Sequence, residues 1–527
     1  MKRHARWLIV CAIVLVGAVA IVELLPERAE PRGPVIRFWG AARRVGGSCL
    51  IVANGDARFI VDCGALGEGA SGALPPRPDS LDFAIITHAH IDHCGLLAEL
   101  FAAGFRGHVY CTAATAKLVP LMLAMERGIS REKVAREAYD RSIAALTPVP
   151  FGEVVEERGV SFRLMRAEHL LGAAWVDLAL PSGADTVRLV VSGDLGSGNS
   201  VLLPPLEMPR RADYVVMEST YGGTRRDSTV AAQGEGEPSG GAAGSREAFA
   251  EAVARALRGG GDVLIPSFTL GRTQEAMAVL DMFMRRGVIP PETEVFVDSP
   301  TARKITGVYR ECAADLSARS REAYPREPLR FPTLREVRSR TSLKVHARTH
   351  VPAVFITSSG DLSHANAPRH FMRMYGDPRN LLCIIGWQAP GSLGRRLLQG
   401  ESPVLVRHQE GTKVMQDWVS PALAVKGFTS FSAHADSRGL LAWLGAARGV
   451  RHVFLVHGEE SQALALAGSI RDLLALDVTV PRRGEGFVLT PRGGAVPKRF
   501  ERSPVPAPDT LARSSVEAKE GADDAND

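Results

Sequence analysis

Short apolar runs bounded by turn residues dominate the first part of the chain. Residues 35–38, 49–52 and 59–61 are separated by glycines and by Asn54-Gly55-Asp56, and 83–86, 187–191 and 214–217 have the same character. Short β-branched and aromatic runs between turn signals predict buried strands. A helical period covers 113–141. The rhythm changes after 231–244, a stretch rich in Gly, Ala, Ser and Glu that reads as a flexible loop. Residues 245–257 then predict a helix with Phe249, Val253 and Leu257 on one face, ended by Gly259 to Gly261. A strand at 263–266, a helix at 273–286 closed by Gly287, and strands at 295–297, 353–356 and 381–385 follow. Strands alternating with helices imply an α/β unit with a largely parallel sheet. From about Ala422 the short-strand style returns, clearest at 453–456, and a polar tail after Arg499 predicts disorder.

The chain has 527 residues, too many for one compact core, so more than one folded unit is expected. A net charge of +5 permits a polyanionic ligand without requiring one. Seven cysteines form no CxxC pair, which argues against a structural zinc ribbon and for small buried thiols. At the N-terminus, Lys2, Arg3 and Arg6 precede an apolar run over 7–22. This pattern predicts a single-pass membrane anchor, with a cleaved signal peptide as the alternative. The expected localisation is therefore membrane-associated, or exported after cleavage, with the side of the membrane left open.

Thr87-His88-Ala89-His90-Ile91-Asp92-His93 concentrates three imidazoles and a carboxylate directly after an apolar run. Alternate side chains of an extended segment point the same way, so His88 and His90 can face one ion. A following turn can bring Asp92 and His93 to a second. Neutral imidazole and carboxylate are the ligands that suit catalytic zinc. Asp194, Glu218, His169, His434 and His457 also stand where apolar runs give way to small residues. Strand ends on one rim are where α/β proteins collect site residues. Six of the 14 histidines (His88, His90, His93, His169, His434, His457) occupy such positions. Two ions about 3.5–4 Å apart can hold a bridging hydroxide for in-line attack on phosphorus, with Asp194 the candidate shared carboxylate. A histidine held by a carboxylate can then protonate the leaving oxygen.

These residues resemble a known family. Gly40-Ala41-Ala42, Gly46-Gly47-Ser48-Cys49, Val61-Asp62-Cys63-Gly64, THAHIDHCGLL, HLLGAA, SGDLGS and EST-YGG are similar to the metallo-β-lactamase half of the β-CASP nucleases. PSFTLGRTQE (266–275), VDSPTARKIT (297–306) and GWQAPGSLGRRLL (386–398) resemble the β-CASP insert, and FSAHAD and LVHGEE mark the return to the first domain. The resemblance covers roughly residues 35–490. It is greatest to prokaryotic relatives of the endonuclease subunit of the pre-mRNA 3′-end cleavage factor. It implies an α/β fold, a metallo-β-lactamase αββα sandwich with an inserted β-CASP α/β domain. The expected organisation is an anchor or signal peptide at 1–28 and a first sandwich part at 34–228. An insert at 229–415 follows, with the loop 231–244 inside it, then a second sandwich part at 416–495 and a disordered tail at 496–527.

The resemblance implies roles as well. Asp62 orients the metal loop. His88, His90 and His169 bind one zinc, Asp92, His93 and His457 bind the other, and Asp194 bridges them. Glu218 and His434 form the acid pair. Substrate contacts come from Arg272, Ser299, Ser359 and Gly360. Two zinc ions are the expected cofactors, with manganese as the alternative. A histidine at the His457 position is similar to the RNA-cutting branch, where the DNA-repair branch carries an aliphatic residue.

Some positions depart from the family. Ser359-Gly360-Asp361-Leu362-Ser363-His364-Ala365 stands where Gly-Met-Leu and a glycine pair are usual. Losing those glycines and gaining Asp361 weakens any backbone grip on a phosphate. Glu168 stands where glycine often precedes the His169 position, and no histidine occurs near 225–227.

The expected function is a zinc-dependent phosphodiesterase cleaving RNA as an endonuclease, with 5′-exonucleolytic action as a second mode and His434 as general acid. RNA is the expected partner, the membrane a second one, and a homodimer is left open. Two alternatives remain. A lactonase- or β-lactamase-like small-molecule hydrolase would not need the long insert or the Glu218 and His434 pair. A non-catalytic RNA-binding scaffold would not need its ligand positions filled.

Overall fold

A computed structural model describes residues 33–66, 73–129, 134–225, 245–338, 351–389, 391–410 and 413–498. Two sheets lie face to face. One is eight-stranded, in the order Ala495–Lys498, Gly486–Leu489, Val35–Phe38, Leu50–Asn54, Ala57–Val61, Phe83–Ile85, His108–Cys111, Leu146–Pro148. The other is seven-stranded, in the order Asp477–Thr479, His452–Val456, Tyr214–Glu218, Asp185–Val191, Ala174–Ser182, Val160–Arg166, Val155–Glu157. Strand alternation decides what lies between them. In Val35–Phe38, Ile36 and Phe38 are buried, while Val35 and Arg37 are half-buried on the other face. Phe38 meets Phe454 at 5.2 Å and Phe83 meets Phe162 at 6.1 Å across the two sheets. Helices cover the outer faces: Leu97–Ala102 sends Leu97, Leu100 and Phe101 into a core shared with Ile51 and Ile60. This is the αββα sandwich that the resemblance implied.

Between Glu218 and the helix Ser437–Ala446, which packs back on the sandwich with Trp443 5.8 Å from Trp175, the chain builds the inserted α/β unit. Its six-stranded sheet runs Leu334–Glu336, Val295–Asp298, Val354–Thr357, Val263–Pro266, Leu381–Ile384, Ala424–Gly427, parallel throughout. The insert leaves and returns at adjacent strands. Tyr214–Glu218 pairs in parallel with His452–Val456, and Glu218 lies opposite Val456. The next residue, His457, is thereby placed beside Glu218 although the sequence separates them widely. The helix Arg246–Arg258, capped by the Ser245 hydroxyl, buries Phe249, Val253 and Leu257. Phe249 packs on Phe428 and Phe431 at 5.3 and 4.8 Å. Burying one such ring stabilises by about 1.5–3 kcal/mol, and here it fixes the segment that leads to His434.

Several elements differ from the sequence expectation. The apolar period over 113–141 belongs to two helices, Ala113–Ile129 and Arg136–Ala144, with extended backbone at Ala135. The strands Val160–Arg166 and Ala174–Ser182 and the antiparallel pair Val404–Glu410 and Lys413–Val419 were not anticipated. Cys49, Cys63, Cys94, Cys111, Cys312 and Cys383 are buried and outside any disulfide. The loop 231–244 and residues 499–527 lie outside the described residues, whereas 496–498, expected to open the disordered tail, belong to the strand Ala495–Lys498 paired with Gly486–Leu489.

The expectation of a membrane-associated protein with a transmembrane helix is corrected. A spanning helix needs about 20 apolar residues. Among the described residues no helix is long and apolar enough to cross a membrane. The segment 1–28, on which the expectation of an anchor or signal peptide fell, lies outside them.

Candidate metal centre

The rims of both sheets converge on one cluster. From the eight-stranded sheet, Phe83–Ile85 runs into extended backbone that carries His88 and His90. A single helical turn, Ile91–Cys94, then presents Asp92 and His93. From the seven-stranded sheet come Asp194 after Asp185–Val191, Glu218 at the end of Tyr214–Glu218, and His457 after His452–Val456. His169 follows Val160–Arg166, and His434 follows the turn Thr429–Phe431. The metal loop is clamped by backbone bonds from Ser48 N to Asp92 O and from Cys63 N to His93 O, both 2.8 Å. Gly64 makes that approach possible, since a Cβ there would lie 1.7 Å from Asp92 O.

Among the described residues, three groups have ligand atoms within 4.8 Å of one another, and two of them are the expected donor sets: His88, His90, His169 and Asp194, and Asp92, His93 and His457; the third is Asp194 with Glu218 and His434. In the first, His90 Nδ1 is 3.2 Å from His88 Nε2 and 3.1 Å from His169 Nε2. In the second, His457 Nε2 is 3.3 Å from His93 Nε2 and 3.1 Å from Asp92 Oδ2. Asp194 stands between the sets. Its Oδ2 lies 3.5 Å from both His88 Nε2 and His169 Nε2, and its Oδ1 lies 3.3 Å from both His93 Nε2 and His457 Nδ1.

The outward ring atoms are held by the protein. His93 Nδ1 is 2.7 Å from Asp62 Oδ2, and Asp62 also accepts from Thr87 N and Thr87 Oγ1. His169 Nδ1 donates to Ala433 O at 3.1 Å, and His88 Nδ1 faces Thr87 Oγ1 at 3.1 Å. Such partners fix the tautomer and leave the other nitrogen's lone pair for a cation. Burial pushes His88, His90 and His169 below the ordinary imidazole range. For His93 and His457 burial acts the same way but is outweighed by carboxylates, Asp194 first, so both are raised. Burial would raise Asp194, yet the surrounding imidazoles hold it well below the carboxylate range. Asp62 and His457 adopt positive φ (65° and 49°), backbone strain that the packed rim sustains.

The cluster fits divalent cations by its own geometry. Ligands tetrahedrally placed about 2.0–2.1 Å from zinc stand about 3.3–3.4 Å apart, close to the separations found here. Imidazole nitrogens facing one another need a cation, or a proton on one of each pair, to avoid lone-pair repulsion. Asp194 Oδ1 is buried without a hydrogen bond despite its two near nitrogens, which matches an atom reserved for a metal. Beside it, His434 Nδ1 lies 3.1 and 3.2 Å from the two oxygens of the fully buried Glu218. Glu218 Oε1 also accepts from Leu195 N at 2.6 Å.

The four expected substrate residues are placed differently from one another. Arg272 lines two cavities that flank the cluster, one bounded by Tyr221, Trp387 and Ser432, the other by His169, Arg246 and Tyr309. Ser299 caps the helix Pro300–Glu311 and accepts from Ser358 Oγ at 2.9 Å. Ser359 is buried, its hydroxyl bonded to Asp361 Oδ1 at 2.7 Å. Gly360 packs against Phe268. Asp361 also accepts from Ser363 N and Ser363 Oγ. Burial would raise its carboxyl, but the serine donors hold it below the ordinary range. Tyr221, Phe268 and Trp387 were not singled out from sequence. Their signal was an aromatic just past a buried strand and beside glycine or serine.

Comparisons with known proteins agree with this geometry. The pattern of the metallo-beta-lactamase superfamily matches residues 42–169, that of the Beta-Casp domain 273–397, and that of the Zn-dependent metallo-hydrolase RNA specificity domain 422–481. Ribonuclease TTHA0252 of Thermus thermophilus is 32% identical over 458 residues, covering 85% of this chain and 98% of that protein. Transcription termination factor FttA of Methanocaldococcus jannaschii is 29% identical over 466 residues, covering 85% of this chain and 70% of that protein. A crystal structure of a protein of unknown function from Enterococcus faecalis shares the fold, with a TM-score of 0.51 at 12% identity, over 87% of this chain and 100% of that one. The relatives are described as a ribonuclease and as a transcription termination factor, and neither description names a membrane.

Proposed function

The chain belongs to the β-CASP family of the metallo-β-lactamase superfamily, and from that premise we propose that it cleaves RNA endonucleolytically with two zinc ions held by the two donor sets. Its fold implies divalent-metal binding and a metal-dependent hydrolase. The observation that carries the reading is the position of Asp194, one carboxylate oxygen directed to each donor set, with the Glu218 and His434 pair beside it. The matched RNA specificity domain at 422–481, which contains His434 and His457, supports RNA as the substrate, as do the names of the relatives.

When bound, paired divalent cations supply Lewis acidity toward a phosphodiester and a nucleophile at neutral pH. The residues supply the rest. His88, His90 and His169 would hold one cation and Asp92, His93 and His457 the other, with Asp194 available to both. Asp62 fixes the His93 tautomer and the register of the metal loop. Glu218, anchored by Leu195 N, orients His434 so that Nε2 can carry a proton to the leaving oxygen. His434 keeps 18% of its side chain exposed beside the buried Glu218, Asp194 and His169, which leaves it able to reach a departing group.

The test is a substrate panel. Purified protein loaded with zinc is incubated with single-stranded RNA, the same sequence as DNA, and a set of lactones and β-lactams. RNA fragments that disappear on chelation support the reading. Lactone or lactam turnover without RNA cleavage overturns it.

A further inference from the structure

The central strands of the inserted sheet end in an aromatic surface. Phe268 follows the strand Val263–Pro266, and Trp387 follows its hydrogen-bonded neighbour Leu381–Ile384. Both rings reach solvent, Phe268 at 36% and Trp387 at 45% exposure, where the strands themselves are fully buried. Exposed rings forgo hydrophobic stabilisation, and beside a cleft they mark a contact surface. Phe268 is wedged between two glycines. A Cβ on Gly360 would lie 3.0 Å from its Cδ2, and a Cβ on Gly386 would lie 3.2 Å from its Cε2. The wedge fixes the turn from which Trp387 projects.

Beside Trp387 lies a cleft open to solvent. Ile385 and Phe428 give it apolar lining, Trp387 an aromatic wall, and Arg395 a cationic rim. Tyr221 and Ser432 close the side toward the metal centre. The Tyr221 ring is 6.1 Å from the ring of His434, and Ser432 precedes His434 by two residues. The cavity therefore adjoins the group assigned to the leaving oxygen. It also lies at the C-terminal ends of parallel strands, the edge where such sheets bind ligands. An aromatic wall over an apolar floor receives a flat heterocycle, and a guanidinium at the rim receives its phosphate.

Given the RNA-cleaving reading above, we infer that this cavity is the subsite for one unpaired base flanking the cut, stacked on Trp387 with its phosphate at Arg395. A base inside a duplex is already stacked and cannot enter, so the subsite selects single-stranded RNA. Trp387 acts on substrate affinity and Arg395 adds charge to the same nucleotide.

The experiment uses one single-stranded RNA, made abasic at one position at a time around its cut. It is cleaved by the full-length wild type and by the Trp387→Ala, Trp387→Phe and Trp418→Ala variants. Trp418 is the control, 66% exposed on the separate two-stranded sheet. In the wild type one abasic position raises KM about tenfold, the scale of a single base–aromatic stack. Trp387→Ala shows that KM on intact RNA and loses no more at that position. Trp387→Phe restores most of the affinity, and Trp418→Ala behaves as wild type. Equal KM at every abasic position, or a Trp387→Ala variant still sensitive at the same position, overturns the subsite while leaving RNA cleavage standing. A wild type that cuts no RNA removes the RNA reading and the subsite with it.

Discussion

His434 Nδ1 lies 3.1 Å from Glu218 Oε2 across 216 residues of sequence. The pairing exists because the insert departs and returns at neighbouring strands, with Tyr214–Glu218 against His452–Val456. Leu195 N holds the same carboxylate at 2.6 Å, so Glu218 cannot follow another partner without losing a buried bond. His434→Ala is expected to lower kcat by about 10²–10⁴, the range of a general acid, with zinc content unchanged. Zinc stoichiometry measured beside single-turnover cleavage checks this. Loss of one zinc in His434→Ala would instead make His434 a ligand.

Asp62 acts through His93. It bonds His93 Nδ1, Thr87 N and Thr87 Oγ1 at once. Asp62→Asn should weaken zinc binding about 10–100-fold, as loss of such outer partners does. Competition with a chromogenic chelator reads the affinity directly, and unchanged affinity would show that Asp62 serves only the fold.

Glu168 shows how a departure from the family pattern is accommodated. Its φ is 58°, a backbone region that suits glycine, and glycine is the residue often found before the His169 position. The carboxylate compensates by accepting from Gly198 N and Ser200 N. Glu168→Ala keeps the backbone strain and leaves both donors without their acceptor. A loss of about 1–3 kcal/mol in equilibrium unfolding is expected, and an unchanged denaturation midpoint would contradict it.

Asp298 ends the strand Val295–Asp298 and binds the helix Ala367–Met374 through His370 Nε2 at 2.8 Å and Arg369 Nη2 at 3.1 Å. Burial would raise its carboxyl, but the His370 and Arg369 contacts outweigh burial and hold it below the ordinary range. A carboxylate with a lowered folded value contributes stability in full above its unfolded value, near pH 3.9. That stability is lost as pH falls through the folded value. The Asp298→Asn protein should be less stable at pH 7 by about 1.5–3 kcal/mol and lose less between pH 5 and 2 than wild type. Parallel acid limbs in urea titrations of the two proteins would refute this.

Much of the sandwich and of the donor cluster was legible because local signals carried it. Thr87 to His93 packs most of one rim into seven residues, and extended backbone followed by one helical turn suffices to split them between two sets. Asp194, Glu218 and His457 each follow or end a plainly apolar strand. What local pattern cannot carry is closeness between distant segments. That Trp387, Tyr221 and Ser432 border one cavity, with the Tyr221 ring 6.1 Å from that of His434, depends on how the insert meets the sandwich. Val160–Arg166 was readable in principle, since Val160, Phe162 and Leu164 alternate with outward residues. Ser299 and Ser359 stand in motif-bearing loops, yet their hydroxyls are spent on helix capping and on the Asp361 turn. A serine's type and motif do not reveal which way its hydroxyl is committed.

Zinc titration of metal-stripped protein, with RNA cleavage followed at each addition, tests the central claim most directly. The two donor sets joined by Asp194 predict activity that rises to a plateau at about two equivalents, with an Asp194→Ala protein inactive at every point. Full RNA cleavage by the stripped protein, or by Asp194→Ala, would contradict the assignment of this cluster as the metal centre that cuts RNA.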